Sequence, residues 1–145
     1  AASDVYKRQA DTYPQNAVRG PIVMVTNQWA GSDGDIVAAA TQAMGYAKVI
    51  GERSWGGVVG IDGRFDLVDG TSVTQPRYAG WYGSYGWGVE NHGVDPDIVV
   101  TVSPEDWEAD RDVQLDAAIA ECLRQLDDKP AATAPELPGP AFDRC

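Results

Sequence analysis

The chain has 145 residues, 43% of them hydrophobic and 23% charged, with 16 glycines. This composition fits one globular domain and excludes collagen-like, wholly disordered and disulfide-scaffold architectures. Twenty-two acidic residues against 11 basic ones give a formal charge of -11, which disfavours phosphate backbones and anionic membranes as partners. No apolar run reaches membrane-spanning length and no leader-like segment opens the sequence, so the expectation is no membrane partner, no nucleic-acid partner and a cytoplasmic location.

Residues 1–10 (AASDVYKRQA) lack periodicity and carry local basic charge, as expected of a processing remnant or a fragment edge. The run Pro21-Ile22-Val23-Met24-Val25-Thr26 is almost continuously apolar, the pattern of a strand buried on both faces. After Asn27–Gly31, the acid-rich Ser32-Asp33-Gly34-Asp35 precedes a helix over Ile36–Met44, with Gly45 as its stop. Lys48–Gly51 completes a strand–helix–strand crossover. Val58–Ile61 and Arg64–Val68 flank Asp62-Gly63, which predicts a hairpin. Thr71–Thr74 follows the second turn pair Asp69-Gly70, and Pro76 ends or edges that strand.

An aromatic loop then runs from Tyr78 to Trp87 and includes Trp81, Tyr82 and Tyr85. Asp97–Val102 reads as a strand and Ser103-Pro104 as a helix start. The last helix is predicted over Asp112–Asp127, with Leu115, Ile119, Cys122, Leu123 and Leu126 forming one apolar stripe. From Lys129 onward, four prolines among Ala and Thr predict a disordered tail. Cys122 reads as a buried free thiol, and a bridge to Cys145 is disfavoured because that partner lies in the tail. The whole is an α/β sandwich with a mixed, partly parallel sheet and flanking helices.

Ser32 is the most informative residue. It stands where a buried strand gives way to a helix, the edge at which open α/β sheets gather their sites. Its hydroxyl would face solvent, and the following N–H groups, beginning with Asp33, could stabilise an oxyanion. The competing reading is a plain N-cap serine in a glycine-rich turn. Ala30-Gly31-Ser32-Asp33-Gly34 also resembles a nucleophile elbow. One of Asp62, Asp66 or Asp69 with His92 would then complete a small esterase, although His92, the only histidine, falls in a turn. Glu90 could orient a base or a hydroxyl. The loop aromatics could line a peptide groove or a satellite core, which leaves a non-catalytic binding or assembly module open. No Cys/His cluster has metal-ligand spacing, so neither a metal nor another cofactor is expected.

Pro21–Asp35 (PIVMVTNQWAGSDGD), Gly51–Ile61 (GERSWGGVVGI), Leu67–Arg77 (LVDGTSVTQPR) and Trp87–Asp97 (WGVENHGVDPD) together resemble the C-terminal catalytic core of tricorn-type serine proteases, a branch of the tail-specific, or carboxy-terminal processing, peptidases. The resemblance implies a ClpP/crotonase-like peptidase core, incomplete here, with residues 11–128 forming its C-terminal part. It implies that Ser32 is the nucleophile and that the Asp33 N–H forms half of the oxyanion hole. Glu90, in Glu-Asn-x-Gly-Val, would help a second serine to position the catalytic histidine. In the family that histidine, the second serine and the other oxyanion glycine lie upstream of the nucleophile strand, where this chain has nothing to match. His92 occupies the variable position of the glutamate motif and is not the family's base. The resemblance therefore implies a segment of a serine endopeptidase acting on peptides or unfolded chains, inactive alone, from a parent that assembles as a hexamer.

Overall fold

A computed structural model describes residues 13–134. The segment expected to be a remnant, 1–10, and residues 135–145 of the expected tail lie outside the described residues. The apolar run forms β1 (Val23–Thr26), the predicted helix is α1 (Asp33–Met44), and β2 is Lys48–Gly51. β1 and β2 are parallel, with Val23 opposite Lys48 and Thr26 opposite Gly51, as a crossover through α1 requires. A third parallel strand, β5 (Ile98–Val99), pairs the other edge of β2, with Ile50 opposite Ile98.

β2 is therefore central, and Val49 and Ile50 on its two faces are both fully buried. Burial of side chains this size contributes about 1.5–3 kcal/mol each. The main core lies on the α1 side. Ala38 and Ala39 pack with Val58, Val89 and Val94, supported by Met24, Ile36, Tyr82 and Tyr85. The small alanines let the helix approach closely, so the loops carrying Val58, Val89 and Val94 are anchored beneath the middle of α1.

The hairpin predicted around Asp62-Gly63 does not form. β3 (Gly60–Asp62) pairs antiparallel with β4 (Gln75–Tyr78), which contains Pro76, and Arg64–Val68 is not a strand. The reason lies in side chains. Asp62 is held by two cations, Arg64 at 3.1 Å and Arg77 of β4 at 3.2 Å, and the Tyr78 ring covers Gly60, which has no side chain of its own to pack. The turn chemistry of Asp69-Gly70 is used instead: Leu67 N–H bonds Thr71 O at 2.9 Å, inside the excursion between β3 and β4. β5 is also shorter than the predicted Asp97–Val102, because the Asp97 carboxylate, not its backbone, accepts the Val49 N–H at 2.8 Å.

Ser103 opens the short α2 (Pro104–Glu108), and α3 spans Val113–Asp128. α3 lies on β1 and β2 through Gln114 and Ala118, which are buried, while Leu115, Ile119 and Leu123 remain 49%, 50% and 59% exposed. At about 100° per residue, the apolar stripe is turned by roughly a quarter circle from the face that meets the sheet. Gln114 explains the choice of face, since its Nε2 donates to Val100 O at 2.9 Å. Cys122 is half-buried and free, not fully buried as expected. Residues 129–134 have no regular structure and are exposed, and Ala132 N–H donates to Arg19 O at 2.9 Å. No helix among the described residues is long and apolar enough to cross a membrane.

Candidate active site

Ser32 stands at the N-cap position of α1 with φ 53° and ψ -110°. That is the first central position of a II′-type turn, which favours glycine; a serine held there costs on the order of 1–3 kcal/mol. The strain is fixed from both sides. Ser32 N–H donates to Gly57 O at 3.2 Å, Ile36 N–H donates to Ser32 O at 3.0 Å, and Trp55 N–H donates to Ala30 O at 3.0 Å. The side chain makes no cap hydrogen bond, and the residue is exposed. The plain N-cap reading therefore does not describe this serine. Its hydroxyl is presented to solvent, unused by the helix it precedes.

Asp33 is the first residue of α1 and also exposed. Its N–H has no intrahelical acceptor, and no described residue accepts from it from elsewhere. Gly34 N–H is already bonded to Gly31 O at 2.9 Å, so the Asp33 amide is the donor left open beside the Ser32 hydroxyl.

Glu90 lies half-buried in the loop before β5. One carboxylate oxygen, Oε2, accepts from Val58 N–H at 2.8 Å and Val59 N–H at 2.7 Å. Among the described residues, Oε1 has no donor and is left for another group. The peptide unit between Gly57 and Val58 therefore faces both ways: its carbonyl receives the Ser32 amide and its N–H is given to Glu90. Through that one planar unit, Ser32 N and Glu90 Oε2 lie within roughly 8 Å of each other.

Three loops interlock to make this possible. Gly56 O accepts from Asn91 N–H at 2.7 Å, and Val94 N–H bonds the buried Ser54 hydroxyl at 2.8 Å. Gly93, at φ 86°, lies directly on the Ser54 backbone, where a Cβ would overlap the carbonyl oxygen. Gly31, just before Ser32, lies under the Trp55 ring with no room for a side chain. Asp35, fully buried, accepts from Gly56 N–H at 2.8 Å and Gly57 N–H at 3.1 Å. Ser54, Gly56, Gly57 and Asp35 hold these loops together, and no functional motif in the sequence marks them. The signal available was the Ser-x-x-Asp spacing, which marks a helix start and says nothing of a partner loop.

The other candidates are not brought to Ser32. His92 is exposed and its Nε2 pairs with Asp95 Oδ2 at 2.8 Å. Asp62 is bound by Arg64 and Arg77, Asp66 accepts from the Ser72 hydroxyl at 2.7 Å, and Asp69 accepts from Thr71 N–H at 3.0 Å. This last bond holds the Asp69 carboxyl below its ordinary range. None of these acids reaches His92, so the elbow-plus-histidine arrangement does not assemble among the described residues. In the aromatic loop, Trp81 and Trp87 are exposed while Tyr82 and Tyr85 pack on the core. Burial pushes the Tyr85 phenol up, and its hydroxyl donates to Gln42. A hollow of about 260 Å³ separates this loop from Ile36, Ala39 and Ala43 of α1. A larger open cleft, about 820 Å³, lies between Trp29 and Trp107 at the carboxyl end of the sheet and is not lined by Ser32 or Glu90.

The described residues thus bring together an exposed, strained serine at a strand-to-helix turn, an open amide beside it and a half-buried carboxylate behind it. The chain belongs to peptidase family S41, whose family model matches residues 1–100. It is 60% identical over 127 residues to "Tricorn protease homolog 1" of Streptomyces coelicolor, and 48% identical over 114 residues to "Tricorn protease" of Thermoplasma acidophilum. Those matches cover 88% and 79% of this chain but only 12% and 11% of the relatives. Among solved structures, the crystal structure of the tricorn protease superposes with a TM-score of 0.76 at 48% identity, over 79% of this chain and 11% of that one. Mature CPAF shares the fold at TM-score 0.60 and 21% identity, over 80% of this chain and 23% of that one.

Proposed function

We propose that this chain is the nucleophile-bearing segment of a larger serine endopeptidase that cleaves peptides or unfolded polypeptides through an acyl-enzyme. Ser32 Oγ attacks the scissile carbonyl and the Asp33 N–H receives the developing oxyanion. A histidine takes the serine proton and returns it to the departing amine. Water then hydrolyses the ester and Ser32 regains its proton. The free Oε1 of Glu90 supports that histidine, directly or through a second hydroxyl.

The single observation that carries the reading is the shared peptide unit, which joins a serine in a strained, solvent-facing turn to a carboxylate with one oxygen to spare. The chain's one histidine makes no hydrogen bond to Ser32 and lies in an exposed turn, so in this scheme the base is a histidine of another segment of the parent. The isolated chain is accordingly expected to turn over no substrate. No cofactor takes part in this scheme. By family resemblance the parent assembles as a hexamer.

A fluorophosphonate probe tests the proposal. The polypeptide carrying the upstream part of the core should label at Ser32 and lose labelling on Ser32→Ala. A parent that never labels, or labels elsewhere, overturns it. Strong labelling of the 145-residue chain that His92→Ala abolishes would establish the esterase instead.

A further inference from the structure

We propose that Asp35 is a positioning residue: its buried carboxylate sets the Gly56–Gly57–Val58 strap so that one peptide unit aligns Ser32 with Glu90. The inference rests on the reading of Ser32 as nucleophile and adds to it a residue that acts only through backbone.

Asp35 is 0% exposed. A carboxylate is removed from water at high cost unless it is fully engaged, and no cation pairs with this one among the described residues. What it has are two backbone donors, Gly56 N–H at 2.8 Å and Gly57 N–H at 3.1 Å, together with the positive end of its own helix. Helix initiation does not require this burial, since an acid at the third helical position can close a capping box from the surface. Here the box is open. Asp35 reaches away from its own N-cap to the strap, and the Ser32 N–H that it would have received goes to Gly57 O.

The strap needs such a clamp. Gly56 and Gly57 have no side chains to restrict them, and glycine pairs sample the widest range of backbone conformations. Fixing both amides from one side sets the plane of the next peptide, whose two ends meet Ser32 and Glu90. Asp35→Asn keeps the shape but turns one acceptor into a donor that faces an N–H, which tilts that plane. Small displacements of groups that position a reacting centre cost about 10–100-fold in rate.

The experiment uses the active full-length protein. In Asp35→Asn, kcat and the fluorophosphonate labelling rate per folded molecule should both fall about 10–100-fold, with KM within a few-fold of wild type. Asp106→Asn, at the equivalent position of α2, should lower Tm and leave labelling unchanged. Asp35→Asn that lowers Tm but labels at the wild-type rate per folded molecule would show a purely structural residue and overturn the proposal. Ser32→Ala in the same assay separates the two ideas: retained labelling there sinks the nucleophile reading, whatever Asp35 does. If Asp35→Asn does not fold, hydrogen exchange on the wild-type full-length protein decides. Gly56 and Gly57 amides should exchange orders of magnitude more slowly than the exposed 63–74 excursion, and equal rates would mean that no clamp exists.

Discussion

The sequence Ser-x-x-Asp occurs at the start of two helices in this molecule, and the two do opposite things with it. At α2, Ser103 and Asp106 close on each other: Asp106 N–H donates to Ser103 Oγ at 3.1 Å and Ser103 N–H to Asp106 Oδ2 at 3.1 Å. Ser103 keeps an ordinary extended backbone, φ -78° and ψ 160°. At α1 the same residue types are separated. Ser32 is driven to positive φ, its hydroxyl caps nothing, and Asp35 is buried against a neighbouring loop. A helix start that only has to be stable uses its polar groups on itself, whereas the one beside Glu90 leaves them for another task. Unspent capping at a strained position is what sets the proposed nucleophile apart from the closed box.

The contrast can be broken most forcefully at the hydroxyls. Ser32→Ala in the active parent should lower kcat by about 10⁴–10⁶-fold while leaving Tm nearly unchanged, because no cap bond is lost; steady-state kinetics and calorimetry on one preparation read both. Next in size, Gly93→Ala should destabilise the chain by about 3 kcal/mol in urea unfolding, since a Cβ there meets the Ser54 carbonyl at a backbone φ of 86°. This attacks the loops that hold the open box and spares α2. Ser103→Ala should cost about 1 kcal/mol of stability and nothing in labelling, the reverse of Ser32→Ala.

Ser32→Gly should stabilise by up to about 1 kcal/mol, by relieving a turn position that suits glycine, while it abolishes acylation. The smallest effect is one of pH. Hydrogen bonds from the Ser103 hydroxyl and N–H, with Arg111 adding its charge, hold the Asp106 carboxyl below its ordinary value of 3.8. A depressed folded-state pKa means that this stabilisation is present above the unfolded value and fades as pH falls through the folded one. The Tm gap between wild type and Ser103→Ala should therefore narrow from pH 7 to pH 3.

Much of this was legible from residues alone. The crossover β1–α1–β2 follows from an apolar run, an acid-rich helix start and a glycine stop, each of which is local. The surrounding motifs single out Ser32 and Glu90, and the place after the serine singles out the Asp33 amide, as the candidates on which the proposed function rests. What was not legible depends on contacts distant in sequence. Asp62-Gly63 has ideal hairpin chemistry, yet Arg77, fifteen positions on, recruits the Asp62 side chain and selects another partner strand. The stripe on α3 is real as a pattern, but Gln114 decides which face meets the sheet. Asp35 looked like a helix-dipole acid because its partners, two glycine amides twenty-odd residues away, leave no trace in side-chain chemistry.

The Gly57–Val58 unit makes the serine turn and the acidic arm respond to each other. With main chain as the connector, only one planar peptide lies between the two groups it touches, so its orientation bears on both. A tilt of that plane moves the acceptor of the Ser32 amide and the donor to Glu90 together. A disturbance at the serine turn is thereby carried to the acidic arm, and one at the acidic arm is carried back.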